Sequence, residues 1–458
     1  MKKLLPTILS LAVLSACANT STPQPTSVED QPVKNIIMIV ADGMGPAYTS
    51  AYRYYNDDPA TEIVEQTVFE RHLLGSASTY PAPVSGYVTD SAAGATALAS
   101  GVKSYNGAIG VDVNKKPVKS VLHAAKAKGM KTGVVVTSQV NHATPASYIT
   151  HNESRRNYNQ IADSYIDNGI NTDLLLGGGT SYFIRDDRNL VEEYKAQGFQ
   201  YIDSYQQLSA IKTNQPVLGL FAPIGLPWSL DDTDKHRLST MTKAATEYLI
   251  NDNGYFLLIE ASQVDWAGHA NDVGSAMAEM DDLAKTLEYL EGYVQKHPDT
   301  LVVLTADHST GGFTIAANGK YKWDPTVLRT LNQSTQAMAK VLTEQEITSE
   351  HLSTWLNTKI TQETVDNVTE AKTNALKAVA EYEQLSSEQQ AKKRKPNVTE
   401  AIFKALTKVV DELTNTGWTS SGHTGIDVPV IALGAGKDAF IGGQDNTDIA
   451  KKIFKLLK

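Results

Sequence analysis

Ile36-Ile37-Met38-Ile39-Val40 runs straight into Ala41-Asp42. A short, unbroken, β-branched apolar run predicts a strand buried on both faces. Two other runs end in the same way. Tyr255-Phe256-Leu257-Leu258-Ile259 leads into Glu260, with Asp265 and His269 just beyond, and Leu301-Val302-Val303-Leu304 leads into Asp307-His308. In open α/β sheets the ligand site lies beyond the carboxyl ends of the parallel strands. Three strands are therefore expected to deliver Asp, Glu and His to one edge of one sheet, which is how distant sequence builds a multi-metal site.

Further apolar runs occur at 133–137 and 428–433, and helix-like segments such as Ser91–Ser100 and Val118–Lys128 lie between the runs. This alternation predicts an α/β fold: a mostly parallel central sheet with helices on both faces. The core is assigned to residues 34–318 and 418–458. Residues 319–417 differ, being rich in Lys, Glu, Gln and Ala with no convincing strand. They read as a helical insertion, crown-like or lid-like, placed before the last core strand. Ile402, Phe403, Leu406, Val409 and Val410 share one helical face, and Ala375, Leu376, Val379 and Tyr382 another. Tyr321, Trp323 and Trp355 are read as helix packing, with contact to substrate or a partner subunit as the alternative. The run Lys392-Lys393-Arg394-Lys395 is read as a solvated loop.

The chain has 458 residues, 41% hydrophobic and 20% charged, which is ordinary globular composition. A net charge of −10 argues against a nucleic-acid surface, so any anionic substrate must be drawn by local cations. Lys2-Lys3 and the apolar stretch Leu4 to Val13, too short to span a bilayer, form a signal segment over residues 1–17. It ends in Leu14-Ser15-Ala16-Cys17, which resembles the bacterial lipoprotein cleavage box and implies a lipid anchor on Cys17, the only cysteine. An ordinary secretory signal is the alternative. Either way the protein is expected to be exported, to the periplasm or to the outer membrane by its lipid. Residues 18–33, rich in Ser, Thr, Pro and Gln, read as a flexible tether. With one cysteine there is no internal disulfide, so a large core and bound metals must supply stability.

Val88-Thr-Asp-Ser91-Ala-Ala-Gly-Ala-Thr-Ala97 is crowded with small residues. A Ser at a helix start can approach an anionic ligand closely, although a simple N-cap reads the same way. Arg155 offers a planar fork for two phosphate oxygens. Carboxylates with His suit zinc, and carboxylates with a hydroxyl suit magnesium.

Six motifs occur together: Val40-Ala-Asp42-Gly-Met-Gly45, Thr89-Asp-Ser91-Ala-Ala93, His142-Ala-Thr144-Pro145, Glu260-x4-Asp265-x3-His269, Thr305-Ala-Asp307-His308 and Gly422-His423-Thr-Gly425. In this order the chain resembles the bacterial and animal alkaline phosphatases. The resemblance implies two zinc ions and one magnesium ion per subunit. Asp265, His269 and His423 correspond to the first zinc site, and Asp42, Asp307, His308 and the Ser91 oxygen to the second. Asp42, Thr144 and Glu260 correspond to the magnesium site. It further implies hydrolysis of small phosphate monoesters through a phosphoserine on Ser91, with Arg155 clamping the phosphate, in a homodimer. Arg156 is a rival to Arg155, but Arg155 keeps the family's spacing from Thr144. His142 is expected beside the magnesium ligands and Trp266 at the border of the phosphate pocket, with plain packing as the alternative for both. His72, His123, His151, His236, His297 and His351 match no metal motif.

Sister activities fit less well. Sulfatases of the superfamily use a modified Cys or Ser in a Cys/Ser-x-Pro-x-Arg setting, which Ser91-Ala-Ala-Gly-Ala does not match. Diesterases usually carry a Thr nucleophile and lack the Asp42, Thr144, Glu260 trio. A lipoprotein that binds phosphate or metal without turnover is a further alternative, against which the complete set of Ser91, Arg155 and metal ligands argues.

Overall fold

The structure, a computed structural model, describes residues 32–457. The signal segment, Cys17 and nearly all of the tether lie outside the described residues. Val33, assigned to the tether, instead packs against the core.

Ten strands form one sheet: β1 (Asn35–Val40), β2 (Leu73–Ser78), β3 (Lys131–Gln139), β4 (Leu174–Gly178), β5 (Gln200–Ile202), β6 (Val217–Leu220), β7 (Tyr255–Glu260), β8 (Thr300–Thr305), β9 (Val428–Gly434) and β10 (Gly442–Asp445). Their spatial order is β10-β2-β9-β8-β1-β7-β3-β4-β6-β5. All neighbours run parallel except β9, which is antiparallel to both β2 and β8. β1, β7 and β8 are buried at every position, as their unbroken apolar runs require.

The sheet is wider than the apolar runs indicate. β2 is half-exposed and β4, β5 and β6 are short. β9 is not the last strand, because the edge strand β10 follows it and pairs with β2.

Register explains the site. Val40 at the end of β1 pairs with Glu260 on one side and Thr305 on the other. Asp42, Glu260 and Asp307 therefore leave the sheet side by side. Because β9 runs antiparallel, the chain entering it comes from this same edge, carrying His423. A two-residue ladder completes the link, with His423 opposite Thr310 and Thr424 opposite Ser309.

Between residues 319 and 415 the described elements are helical: Thr335–Glu344, Ser349–Leu356, Gln362–Glu383, Ser387–Ala391 and Val398–Thr414, with a short 3-10 turn at Leu328–Thr330. Ile402, Leu406, Val409 and Val410 are buried as expected, with Phe403 partly so. The second predicted face is corrected. Ala375 is buried as expected and Val379 and Tyr382 are partly so, but Leu376 is 49% exposed, and the Gln362–Glu383 helix also buries Val365 and Val368. Trp323 and Trp355 pack, while Tyr321 is fully exposed, so its reading as helix packing is corrected. In the basic run, Lys392, Arg394 and Lys395 pair with Glu388, Glu400 and Glu383 at the surface. Among the described residues no helix is long and apolar enough to cross a membrane.

Candidate active site

Ser91 opens the Ser91–Ser100 helix, but it is not the cap. Asp90 is the N-cap, its side chain accepting from the Ala93 N–H at 3.0 Å. Capping is thus done by a neighbour, and the Ser91 hydroxyl is free for another partner. Ser91 Oγ lies 3.1 Å from Nε2 of His308. Small residues allow this approach: a Cβ on Gly94 would sit 3.0 Å from the Asp307 carbonyl oxygen. Gly43 has φ 77°, and a Cβ there would meet the Asp265 backbone at 2.6 Å.

The acids and histidines gather into three groups. Asp265, His269 and His423 place ligand atoms within 4.8 Å of one another, as do Asp42, Asp265 and His308, and Asp42, His142 and Glu260. Asp265 thus reaches two of the groups, although the sequence reading places it in one. Asp307 is near the second group, its Oδ2 3.3 Å from His308 Nε2. His142 comes closer to Asp42 and Glu260 than a neighbour of the magnesium ligands need be.

The donors fit divalent cations. Both carboxylate oxygens of Asp42, Oε1 of Glu260, Oδ2 of Asp307 and the Thr144 hydroxyl are buried without a hydrogen-bond partner. Buried oxygens of this kind are costly unless something positive meets them. In the first group, Nδ1 of His269 lies 2.6 Å from the Ser421 carbonyl and Nδ1 of His423 lies 2.9 Å from that of Thr89. A carbonyl can only accept, so both rings carry their proton on Nδ1 and turn a bare Nε2 inward.

Electrostatics agree. Burial pushes the Asp42 carboxyl well above its ordinary value, and Asp307, Asp265 and Glu260 add to this. Burial pushes Glu260 up to about 7 and also raises Asp307. Burial and then Arg155 push His142 down to about 3, so its ring is neutral at working pH. Burial likewise holds His308 well below its ordinary value. The carboxylates that crowd this edge are therefore short of positive charge.

Above them lies a cavity of about 400 Å³, lined by Ser91, His142, Arg155, Arg156, Tyr158 and Trp266 among others. Against the cost of burial, Asp90 raises the Arg155 guanidinium above its ordinary value. Arg155 is held at 3.1 Å by Asp90 and at 3.3 Å by His142 Nε2, which aims its fork beside Ser91. Arg156 is exposed, and its guanidinium forms no hydrogen bond or ion pair among the described residues. Trp266 meets His142 edge-on at 6.0 Å and lies against Gly225. Tyr158 lines the same cavity and was not singled out from the sequence. Nothing in its local sequence marks it, since only the fold brings it to the cavity that Trp266 also lines.

The alkaline phosphatase family model matches residues 33–458. The chain belongs to the alkaline phosphatase family. It is 42% identical to alkaline phosphatase 3 of Bacillus subtilis over 469 aligned residues, covering 100% of this chain and 97% of that protein. It is 31% identical to the repressible alkaline phosphatase of Saccharomyces cerevisiae, covering 93% of this chain and 81% of that one. A cold-active alkaline phosphatase from a Shewanella species superposes with a TM-score of 0.84 at 47% identity, covering 93% of this chain and 100% of that one. The alkaline phosphatase of the Antarctic bacterium TAB5 superposes with a TM-score of 0.67 at 26% identity, covering 93% of this chain and 98% of that one. A histidine-to-glutamate mutant of that protein has been solved with magnesium in its M3 site. As a member of this family, the protein is a metal-dependent hydrolase of phosphate monoesters with metal-binding groups at its sheet edge.

Proposed function

We propose that Ser91 is the nucleophile and that transfer proceeds through a phosphoserine. The single observation that carries this reading is the Ser91 hydroxyl, buried 3.1 Å from His308 at the centre of a donor cluster with unpartnered oxygens. In the first step a bond forms between Ser91 Oγ and phosphorus while the ester bond breaks. The alcohol leaves with the proton that the serine gives up. In the second step water attacks the phosphoserine, Ser91 regains a proton, and inorganic phosphate departs. Arg155, held by Asp90 and His142, binds two non-bridging oxygens and keeps the group in line. The backbone start of the Ser91–Ser100 helix favours the same anion.

Two zinc ions and one magnesium ion per subunit suit the donors. Asp265, His269 and His423 would hold one zinc, and Asp42, Asp307 and His308 the other beside Ser91. Asp42, Thr144 and Glu260, all oxygen donors, would hold magnesium. Bound there, the cations supply the positive charge that lowers hydroxyl pKa values and offsets charge on the departing oxygen.

The deciding measurement is hydrolysis of p-nitrophenyl phosphate against its bis-ester and its sulfate analogue, at pH 7 to 10, with Ser91→Ala as control. Monoester preference that vanishes in the control is expected. Preference for the bis-ester or the sulfate, or turnover that survives Ser91→Ala, overturns the reading.

His142 is proposed to tune the magnesium site and Trp266 the phosphate pocket. His142→Asp should raise magnesium affinity, and Trp266→Lys should strengthen phosphate inhibition. Unchanged magnesium dependence or unchanged phosphate inhibition discards the respective role. We base the expected homodimer on family membership and on exposed apolar residues such as Val84, Tyr87, Val88 and Ile426, and sedimentation of the purified protein tests it. Export with a lipid on Cys17 is supported by the signal segment alone. Mass analysis of the mature N-terminus from a membrane fraction tests it.

A further inference from the structure

The helical insertion is tied to the site through the side chain that follows its last helix. Trp418 is half-buried just after the Val398–Thr414 helix, and its indole N–H donates to Asp411 in the last turn of that helix at 3.1 Å. Its ring stacks on Phe313 with centroids 4.7 Å apart and planes 26° apart. Phe313 in turn lies 5.0 Å from the Tyr48 ring. The Tyr48 hydroxyl donates to the Thr310 carbonyl at 2.9 Å, and the Thr310 hydroxyl donates to Asp265 at 2.5 Å. One end of this stack is therefore fixed to the insertion, and the other ends on a metal-site carboxylate.

The indole also seats the loop that follows it. Gly311 has φ 80°, and a Cβ there would meet the indole at 2.6 Å, so the ring lies directly on bare backbone. The Gly311 carbonyl accepts from the Thr419 and Ser420 N–H groups, each at 3.1 Å, and the Gly311 N–H donates to the Gly422 carbonyl at 2.8 Å. Within that span, the Ser421 carbonyl fixes Nδ1 of His269. His423 comes next, in the ladder with Thr310. The loop rooted at Trp418 thus orients both histidines of one group.

We propose that Trp418 is a positioning residue: held by Asp411 of the insertion, it seats the 419–423 loop and thereby sets how tightly Asp265, His269 and His423 hold their cation. The proposal rests on the reading of these three residues as a zinc site. Groups that orient metal ligands without touching the metal typically change affinity by about ten- to a hundredfold when removed. An inserted segment remote from the reacting atoms then becomes a determinant of metal affinity.

The test is zinc affinity of the full chain, measured by competition with a chromophoric chelator on Trp418→Leu, Trp418→Phe and His423→Ala. His423→Ala identifies which zinc step belongs to this site. Trp418→Leu, which loses both the stack and the N–H, is expected to weaken that step by about ten- to a hundredfold. Trp418→Phe keeps a ring and loses only the N–H, so its loss is smaller but measurable. Wild-type affinity in Trp418→Leu overturns the proposal. If that variant does not fold, wild-type affinity in Trp418→Phe overturns it instead. If His423→Ala binds zinc as the wild type does, the assignment of the zinc site fails rather than the role of Trp418.

Discussion

Nε2 of His269 and Nε2 of His423 face each other at 3.1 Å, with Asp265 Oδ2 3.4 Å from the first. Each ring gives its Nδ1 to a backbone carbonyl, so two lone pairs are turned on one point. That arrangement is repulsive until a cation occupies it. Chelation should therefore abolish turnover and also lower the melting temperature, and zinc should restore both. A cation at a hundred times its dissociation constant stabilises the fold by about 2.7 kcal/mol. A melting temperature indifferent to chelator would show that these side chains are not a cation site.

Glu260 makes the metal-free protein sensitive to pH. Burial raises its carboxyl from 4.5 to about 7. Between those values the folded metal-free chain keeps this proton and the unfolded chain has lost it. The folded state then binds more protons, so unfolding free energy falls as pH rises across the window. The full effect is roughly 3 kcal/mol. The metal-free melting temperature should thus fall between pH 5 and 7, and Glu260→Gln should remove this part of the slope. Magnesium at pH 6 should release protons, seen as binding heat that scales with buffer ionisation enthalpy. Superimposable wild-type and Glu260→Gln profiles would show that Glu260 is not the group concerned.

Arg155 and Arg156 are neighbours in sequence with opposite surroundings. Arg155 is aimed by Asp90 and His142, while the Arg156 side chain is exposed and forms no hydrogen bond or ion pair among the described residues. Arg155→Ala should lower kcat/KM for p-nitrophenyl phosphate by about a hundredfold or more, the scale for losing a donor to transferring oxygens. Arg156→Ala should stay within about threefold, as expected of an exposed charge. A larger loss at Arg156 would exchange their roles.

The central strands and the acids at their ends were legible because burial on both faces leaves an unbroken apolar run, and β1, β7 and β8 have one each. β2 and β10 were not, because strands half-open to solvent near one edge of the sheet carry mixed residues such as Leu73-Leu-Gly-Ser-Ala-Ser78 and Gly442-Gly-Gln-Asp445. The acids and histidines that gather at the sheet edge each lie in a motif, yet the sharing of Asp265 between two groups could not be read there. It depends on Asp265, His308 and Asp42 meeting from three separate segments. Tyr158 and Trp418 escaped for the same reason: their partners are distant in sequence and follow no period. Leu376 misled because helical spacing fixes which residues share a face, not which face is covered.

Arg237 carries the last prediction. Its side chain is fully buried, with bonds of 2.9 Å to Asp282 and to both Glu279 oxygens, and one of 3.0 Å to Gln263. Gln263 in turn donates to the carbonyls of Thr137 and Leu226 at the start of the helix that bears Asp265 and His269. Burial raises Asp282 to about 7 even though Arg237 lowers it, so without the guanidinium these acids would be buried beside each other unpaired. Arg237→Ala should destabilise by about 3–5 kcal/mol, the range for stranding buried charge. Arg237→Lys keeps the charge but cannot reach Asp282, Glu279 and Gln263 together, so it should recover only part of that loss. Denaturant unfolding of the metal-loaded protein measures both. If Arg237→Lys matches the wild type, charge alone holds the cluster and the fork geometry is irrelevant. If Arg237→Ala does so, the cluster contributes nothing to the fold.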